Sequence, residues 1–177
     1  MKEKTSLKRI VLIDAHALIH RAYHALPGFA SSKGEPTGAL YGLSTMMMRA
    51  IDELKPDALF ACFDLPKPTF RHIAYDAYKG TRKQTDDTLI TQLIRAKDVF
   101  DAFGIPRFEL EGFEADDLIG TLVEKLEKEK NVEIIIVSGD MDTMQLIHGT
   151  KVRVDTLKKG IQETQMYDEK KVLERYS

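Results

Sequence analysis

Seven acidic side chains fall where a chain of alternating strands and helices would gather them. Asp14 directly follows the apolar run Ile10-Val11-Leu12-Ile13, and Asp64 follows the run from Ala58 to Phe63. Asp140 comes three residues after Val137, the end of Glu133-Ile134-Ile135-Ile136-Val137, and Asp142 two residues later. Glu114, Asp116 and Asp117 open a helical pattern ahead of that third run. In open α/β sheets, ligands bind outside the carboxyl ends of the strands, so these acids converge. Like charges a few ångströms apart repel, or shift their pKa values, unless a cation neutralises them. Hard oxygen donors select Mg2+ or Mn2+ rather than zinc. Two such ions about 3.5–4 Å apart activate a water and stabilise the leaving oxygen of a phosphodiester. Phosphatases use acidic sites of this kind too, so the carboxylates alone indicate phosphoryl hydrolysis and not the polymer cut. Helix capping is the simpler reading, and it suits Asp14 or Asp140 taken singly. It suits Asp64 poorly, because Leu65-Pro66-Lys67-Pro68 follows it rather than a helix.

The elements that must position these acids are legible from hydrophobic spacing. The three apolar runs suit strands buried on both faces of a parallel sheet, and Lys151 to Val154 reads as a shorter fourth. Leu40, Leu43, Met47, Ala50, Ile51 and Leu54 recur at three- and four-residue intervals, with Thr37 as N-cap. The Met46-Met47-Met48 triplet then divides between core and helix surface. Ala115, Leu118, Ile119, Leu122, Val123 and Leu126 mark a second helix, and the charged run from Glu127 to Lys130 is its solvated end. Alternation of this kind predicts a three-layer α/β fold with a mostly parallel sheet. The chain of 177 residues fits one domain, 1–177, with no repeat or linker. Net charge is −2, so any attraction for phosphate comes from a local patch or from bound cations. The single cysteine, Cys62, lies in an apolar run and reads as a small buried hydrophobe. With no internal disulfide, no signal-peptide core and no apolar stretch of about 20 residues, the expected compartment is the cytoplasm.

A substrate class comes from the segment after Asp64. Phe70-Arg71-His72 leads into Tyr75-Asp76-Ala77-Tyr78-Lys79-Gly80-Thr81-Arg82-Lys83, where rings and cations interleave beside an acidic site. Rings stack on unpaired bases, while Lys and Arg neutralise phosphates without reading sequence. A solvated helix start with two packed tyrosines has the same composition.

Five stretches in order, LIDAHALIHRAYHALP, GEPTGALYGL, FDLPKPTFRHIAYDAYKGTR, LEGFEADDLIG and VSGDMDTMQLI, cover nearly the whole chain. Together they resemble the N-terminal 5′-nuclease domain of bacterial DNA polymerase I, in the flap-endonuclease and PIN-like superfamily. The resemblance implies a Rossmann-like fold with a helical arch from about Tyr75 to Thr91, closing over a single-stranded 5′ end. It implies a first metal site of Asp14, Asp64, Glu114 and Asp116, with Asp117, Asp140 and Asp142 serving a second. Lys79 and Arg82 would contact the scissile phosphate, with Tyr78 and Lys83 beside them and Arg21 and Arg71 as further DNA contacts. On that reading, loss of Lys79 slows cleavage and leaves ion binding intact. The implied substrate is DNA with a 5′ end or 5′ flap, cut to leave a 5′-phosphate at the bacterial nucleoid, by a domain linked covalently or functionally to a polymerase module; a monomer is the default expectation.

Three departures from the family pattern stand out. Ala15 replaces the usual glycine after Asp14, and His20 stands where a tyrosine is frequent. The chain stops at Ser177, where the family continues into a helix–hairpin–helix region carrying further aspartates. The second metal site is therefore expected to be incomplete and the activity weakened. His16, His20 and His24 share one helical face, but no cysteine or separate histidine completes a zinc site. Two other readings are a non-catalytic DNA- or metal-binding fragment and a PIN-type ribonuclease. The Tyr78–Arg82 segment and the Gly34–Gly38 loop look polymerase-associated and weigh against the ribonuclease.

Overall fold

The apolar runs form strands, each wrapped by the helices that the intervening patterns predict. The computed structural model describes residues 6–75, 77–80 and 85–176. Strand β1 (Lys8–Asp14), β2 (Ala58–Cys62), β3 (Arg107–Phe108), β4 (Val132–Ser138), β5 (Val152–Lys159) and β6 (Glu163–Tyr167) build one sheet. Its order is β3-β2-β1-β4-β5-β6. The pairings from β3 across to β5 are parallel, and β6 returns antiparallel to β5. The fourth predicted strand is twice as long as expected, at eight residues, and turns back through Gly160, whose φ of 58° is left-handed.

Helices α1 (Ala15–Ala25), α2 (Gly38–Leu54) and α4 (Asp87–Ala102) cover one face. Helix α5 (Ala115–Leu126) covers the other. A short α3 (Phe70–Ala74) precedes α4, and α6 (Glu169–Tyr176) closes the described chain. Strand periodicity divides the core between two layers. Val11, Ile13, Ala61, Ile135 and Val137 face α1, α2 and α4, whereas Leu12, Cys62, Ile134 and Ile136 face α5. This accounts for the unbroken apolar runs, because each residue of β1 or β4 has a helix on its side. Cys62 is fully buried, and burial pushes its thiol up to about 12, so it is inert filler. Met46 and Met47 are buried while Met48 is exposed, as the helical spacing predicts. Thr37 does precede α2, but its side chain makes no capping hydrogen bond.

Helices α1 and α2 approach closely at Gly42. A Cβ there would lie 2.6 Å from the Cβ of Ala22, so the contact needs a glycine. That contact seats the C-terminal half of α1 on α2. Among the described residues, no helix is long and apolar enough to cross a membrane.

Candidate metal centre and nucleic-acid interface

The chain crosses from one half of the sheet to the other between β1 and β4, and the carboxyl ends of these neighbours open a crevice there. Asp14 ends β1 and caps α1: its Oδ1 accepts the Ala17 amide at 3.0 Å. Its Oδ2 accepts the Ser138 hydroxyl at 2.8 Å from the end of β4. The Ser138 Oγ in turn accepts the Asp140 amide at 2.9 Å, so one fully buried serine ties both strand ends together. Asp140 Oδ1 accepts the Asp142 amide at 2.9 Å and opens a 3-10 turn, Met141–Leu146.

Asp64, after β2, also proves to be a cap, for a helix 51 residues away. Its Oδ1 accepts the Ala115 amide at 2.6 Å, at the first residue of α5. Capping and ligand roles are therefore compatible, because Asp64 and Asp140 each spend one oxygen on a helix end and keep the other. His16 braces Asp64 from α1. Its Nδ1 accepts the Asp64 amide at 3.2 Å while its ring meets Phe63 edge-on. Burial pushes the His16 pKa down, which keeps the ring neutral at pH 7.

These acids share a cleft of about 570 Å³ lined by Asp14, Asp64, Glu114, Asp116, Asp140 and Asp142, with Tyr78 and Lys79 on the facing wall. Burial pushes Asp14 up to about 6, and the charges of Asp64 and Asp140 add to the rise. Asp116 is exposed at the rim, yet its carboxyl is pushed up to about 6 as well, by partial desolvation and then by the charges of Asp14, Asp140, Asp64 and Glu114. Both shifts come first from desolvation and then from the neighbouring carboxylates.

The nearby ion pairs among the described residues fall instead on Glu114, which lines the cleft, and on Asp117 beside it. Lys79 Nζ donates to Glu114 Oε1 at 2.8 Å, and the Tyr78 hydroxyl donates to Oε2 at 3.0 Å. Arg71 grips Asp117 with two hydrogen bonds of 2.7 Å while lying over the Phe70 ring. Burial raises the Glu114 carboxyl, but the Lys79 and Tyr78 hydrogen bonds outweigh it and leave the pKa below the usual range. Hydrogen bonds from Arg71 hold Asp117 low in the same way. Among the described residues, no group of three or more His, Cys, Asp or Glu side chains is drawn together enough to hold an ion. An all-carboxylate set with Asp14 and Asp116 uncompensated is nonetheless the donor chemistry that suits Mg2+ or Mn2+.

Of the other predicted residues, Arg21 lies on the far side of α1. Its Nη2 donates to the Leu157 carbonyl at 3.2 Å, and it lines a flanking recess with His20, His24 and Asp140. Arg82 and Lys83 lie outside the described residues. The described part of the expected arch is the turn at 77–80 and the start of α4. Sequence reasoning missed Ser138 and the bracing role of His16. A small hydroxyl residue ending an apolar strand beside an Asp was the only available signal for Ser138.

An acidic crevice at a sheet crossover, with Lys79 and Tyr78 opposite, has the chemistry that suits divalent cations beside an anionic group. Residues 9–177 match the family described as 5′-3′ exonuclease, N-terminal resolvase-like domain, and the chain belongs to that family. It is 39% identical to DNA polymerase I of Bacillus subtilis over 172 residues, 97% of this chain and 19% of the relative. It is 41% identical to the thermostable DNA polymerase I of Thermus thermophilus over 139 residues, 78% of this chain and 16% of that protein. The chain thus spans about a fifth of the length of these relatives. Its fold is similar to that of the T5 D15 protein, co-crystallised with metal ions. The TM-score is 0.72 at 20% identity, over 96% of this chain and 61% of that one.

Proposed function

We propose that the chain hydrolyses DNA phosphodiesters as a divalent-metal-dependent 5′-3′ exonuclease and 5′-flap endonuclease. The observation that carries this reading is a set of carboxylates facing a cation in one cleft: Asp14 and Asp116, with raised pKa values and no ion pair among the described residues, opposite Lys79 and the Tyr78 hydroxyl, with Arg71 beside it on Asp117. That the relatives are DNA polymerases supports DNA as the polymer, and the T5 D15 protein, which shares the fold, was co-crystallised with metal ions. Asp14, Asp64, Glu114 and Asp116 would hold a first Mg2+ or Mn2+, and Asp140 and Asp142, with Asp117, a second. The ions supply an activated water and a sink for the charge of the leaving oxygen.

The chain's own residues do the rest. Lys79 and Arg71 meet the scissile phosphate as it enters, and Tyr78 offers a ring to an unpaired base. Ser138 and His16 keep Asp14, Asp140 and Asp64 from swinging out of the crevice. Arg21, in the flanking recess, takes a phosphate further along the strand. One domain carries all of this.

A duplex bearing a labelled 5′ flap is cut near the junction in Mg2+ or Mn2+, leaves a 5′-phosphate, and stays intact in EDTA. Cleavage that persists in EDTA contradicts the proposal. Mn2+ binding without any cut makes the chain a metal-binding module instead, and preferential cutting of an RNA strand favours a ribonuclease.

A further inference from the structure

We infer that Lys79 and Tyr78 act as a removable stopper on the metal centre, withholding Glu114 from the ion until a substrate phosphate draws Lys79 away. The inference rests on the metal-site reading above. Each oxygen of Glu114 is already taken, Oε1 by Lys79 at 2.8 Å and Oε2 by Tyr78 at 3.0 Å. Glu114 lines the cleft with 8% of its surface exposed, and Arg71 Nη1 stands further off, 3.8 Å from Oε2, so Lys79 is the cation in direct hydrogen-bond contact. An ammonium is a compact point charge, and here it occupies lone pairs that a divalent ion would need. Lys79 also adopts a left-handed backbone at φ 57°, unusual for a residue with a side chain. The contact with Glu114, together with a turn closed by the Gly80 amide on the Ala77 carbonyl at 3.0 Å, holds it there.

The opposite half of the crevice is built differently. Asp14, Asp64 and Asp140 accept from backbone amides and a serine hydroxyl. Those groups are neutral donors and do not compete as cations. The centre therefore has an open half and a stoppered half. A phosphodiester entering along the Lys79 wall offers the ammonium another anion, and its departure frees Oε1 for the metal. Competition between Lys79 and the ion implies, by linkage, that DNA and metal strengthen one another's binding. Lys79 accordingly acts on the ions as well as on the phosphate, and its removal leaves ion binding changed rather than intact.

Mn2+ affinity without DNA, read from the free-ion paramagnetic resonance signal, tests this without recourse to cleavage. Lys79→Met is expected to bind Mn2+ about tenfold more tightly than wild type. Lys79→Arg, which keeps a cation on Glu114, stays near wild type. Lys97→Met removes a charge that reaches His16 through space while pairing with Glu109 at 2.5 Å, and it controls for general electrostatics. Unchanged or weaker binding by Lys79→Met overturns the stopper, as does equal tightening by Lys97→Met. If wild type and variants alike bind no Mn2+, the metal-site reading fails and the stopper fails with it.

Discussion

Asp14→Asn makes the metal-free protein more stable at pH 7, by about 3 kcal/mol, while destroying its capacity to be stabilised by Mg2+. The magnitude follows from a carboxyl raised from 3.8 to about 6, since each pKa unit corresponds to about 1.4 kcal/mol. A raised carboxyl favours the protonated fold. Its contribution is whole below pH 4 and is lost as pH climbs through 6. Asn mimics the protonated state: it still caps α1 by accepting from Ala17, and Ser138 accepts from its amide. The gain should therefore vanish near pH 4, where wild-type Asp14 is already neutral. Asp116 acts with the same sign but stands exposed at the rim, so water screens much of its effect. Glu114 and Asp117, held low by Lys79, Tyr78 and Arg71, act oppositely and lose their contribution as the solution is acidified. Urea unfolding of both proteins in EDTA at pH 4 and pH 7 separates these effects. A destabilised Asp14→Asn protein at pH 7 would contradict the account. A variant gaining stability where the wild type needs charge is the expected trade at a functional site.

Asp64→Asn lowers flap cleavage at saturating DNA by about a thousandfold, because a lost ligand is worth several kcal/mol of transition-state stabilisation. The fold should survive, since the Asn oxygen still accepts the Ala115 amide that Asp64 holds at 2.6 Å. Asp64→Ala abolishes cutting too, but it leaves that amide without its partner and costs about 1–3 kcal/mol of stability besides. Comparing the two by single-turnover cleavage and by melting divides the ligand role from the capping role. Asp64→Asn activity within tenfold of wild type would remove Asp64 from the metal centre.

How far the site was legible follows from the range of its interactions. Asp14 and Asp140 end apolar runs, and strand ends are local features that periodicity reveals. Asp64 was recognised as an anomaly for capping, yet its cap lies on α5, and no local pattern reports a bond spanning 51 residues. The Lys79–Glu114 and Arg71–Asp117 pairs were hidden for the same reason, spanning 35 and 46 residues. The two central strands were legible because helices cover both their faces. Strand β3 has only two residues behind Pro106, and β6 is an edge strand of mixed polarity, so neither has a run to detect. Helix α4 buries only Leu89, Gln92, Ala96 and Phe100 along sixteen residues, a stripe too thin to stand out. Cys62 and the methionines behaved as their neighbours dictated, since burial on a strand or helix face is set locally.

The central claim is that the crevice between β1 and β4 is a divalent-metal centre. Crystals soaked in Mn2+ and measured by anomalous scattering test it directly. The account predicts a peak about 2 Å from carboxylate oxygens of Asp14, Asp64 and Asp116, on the open side of the crevice. No peak there, or Mn2+ bound only at other surface carboxylates, would contradict it.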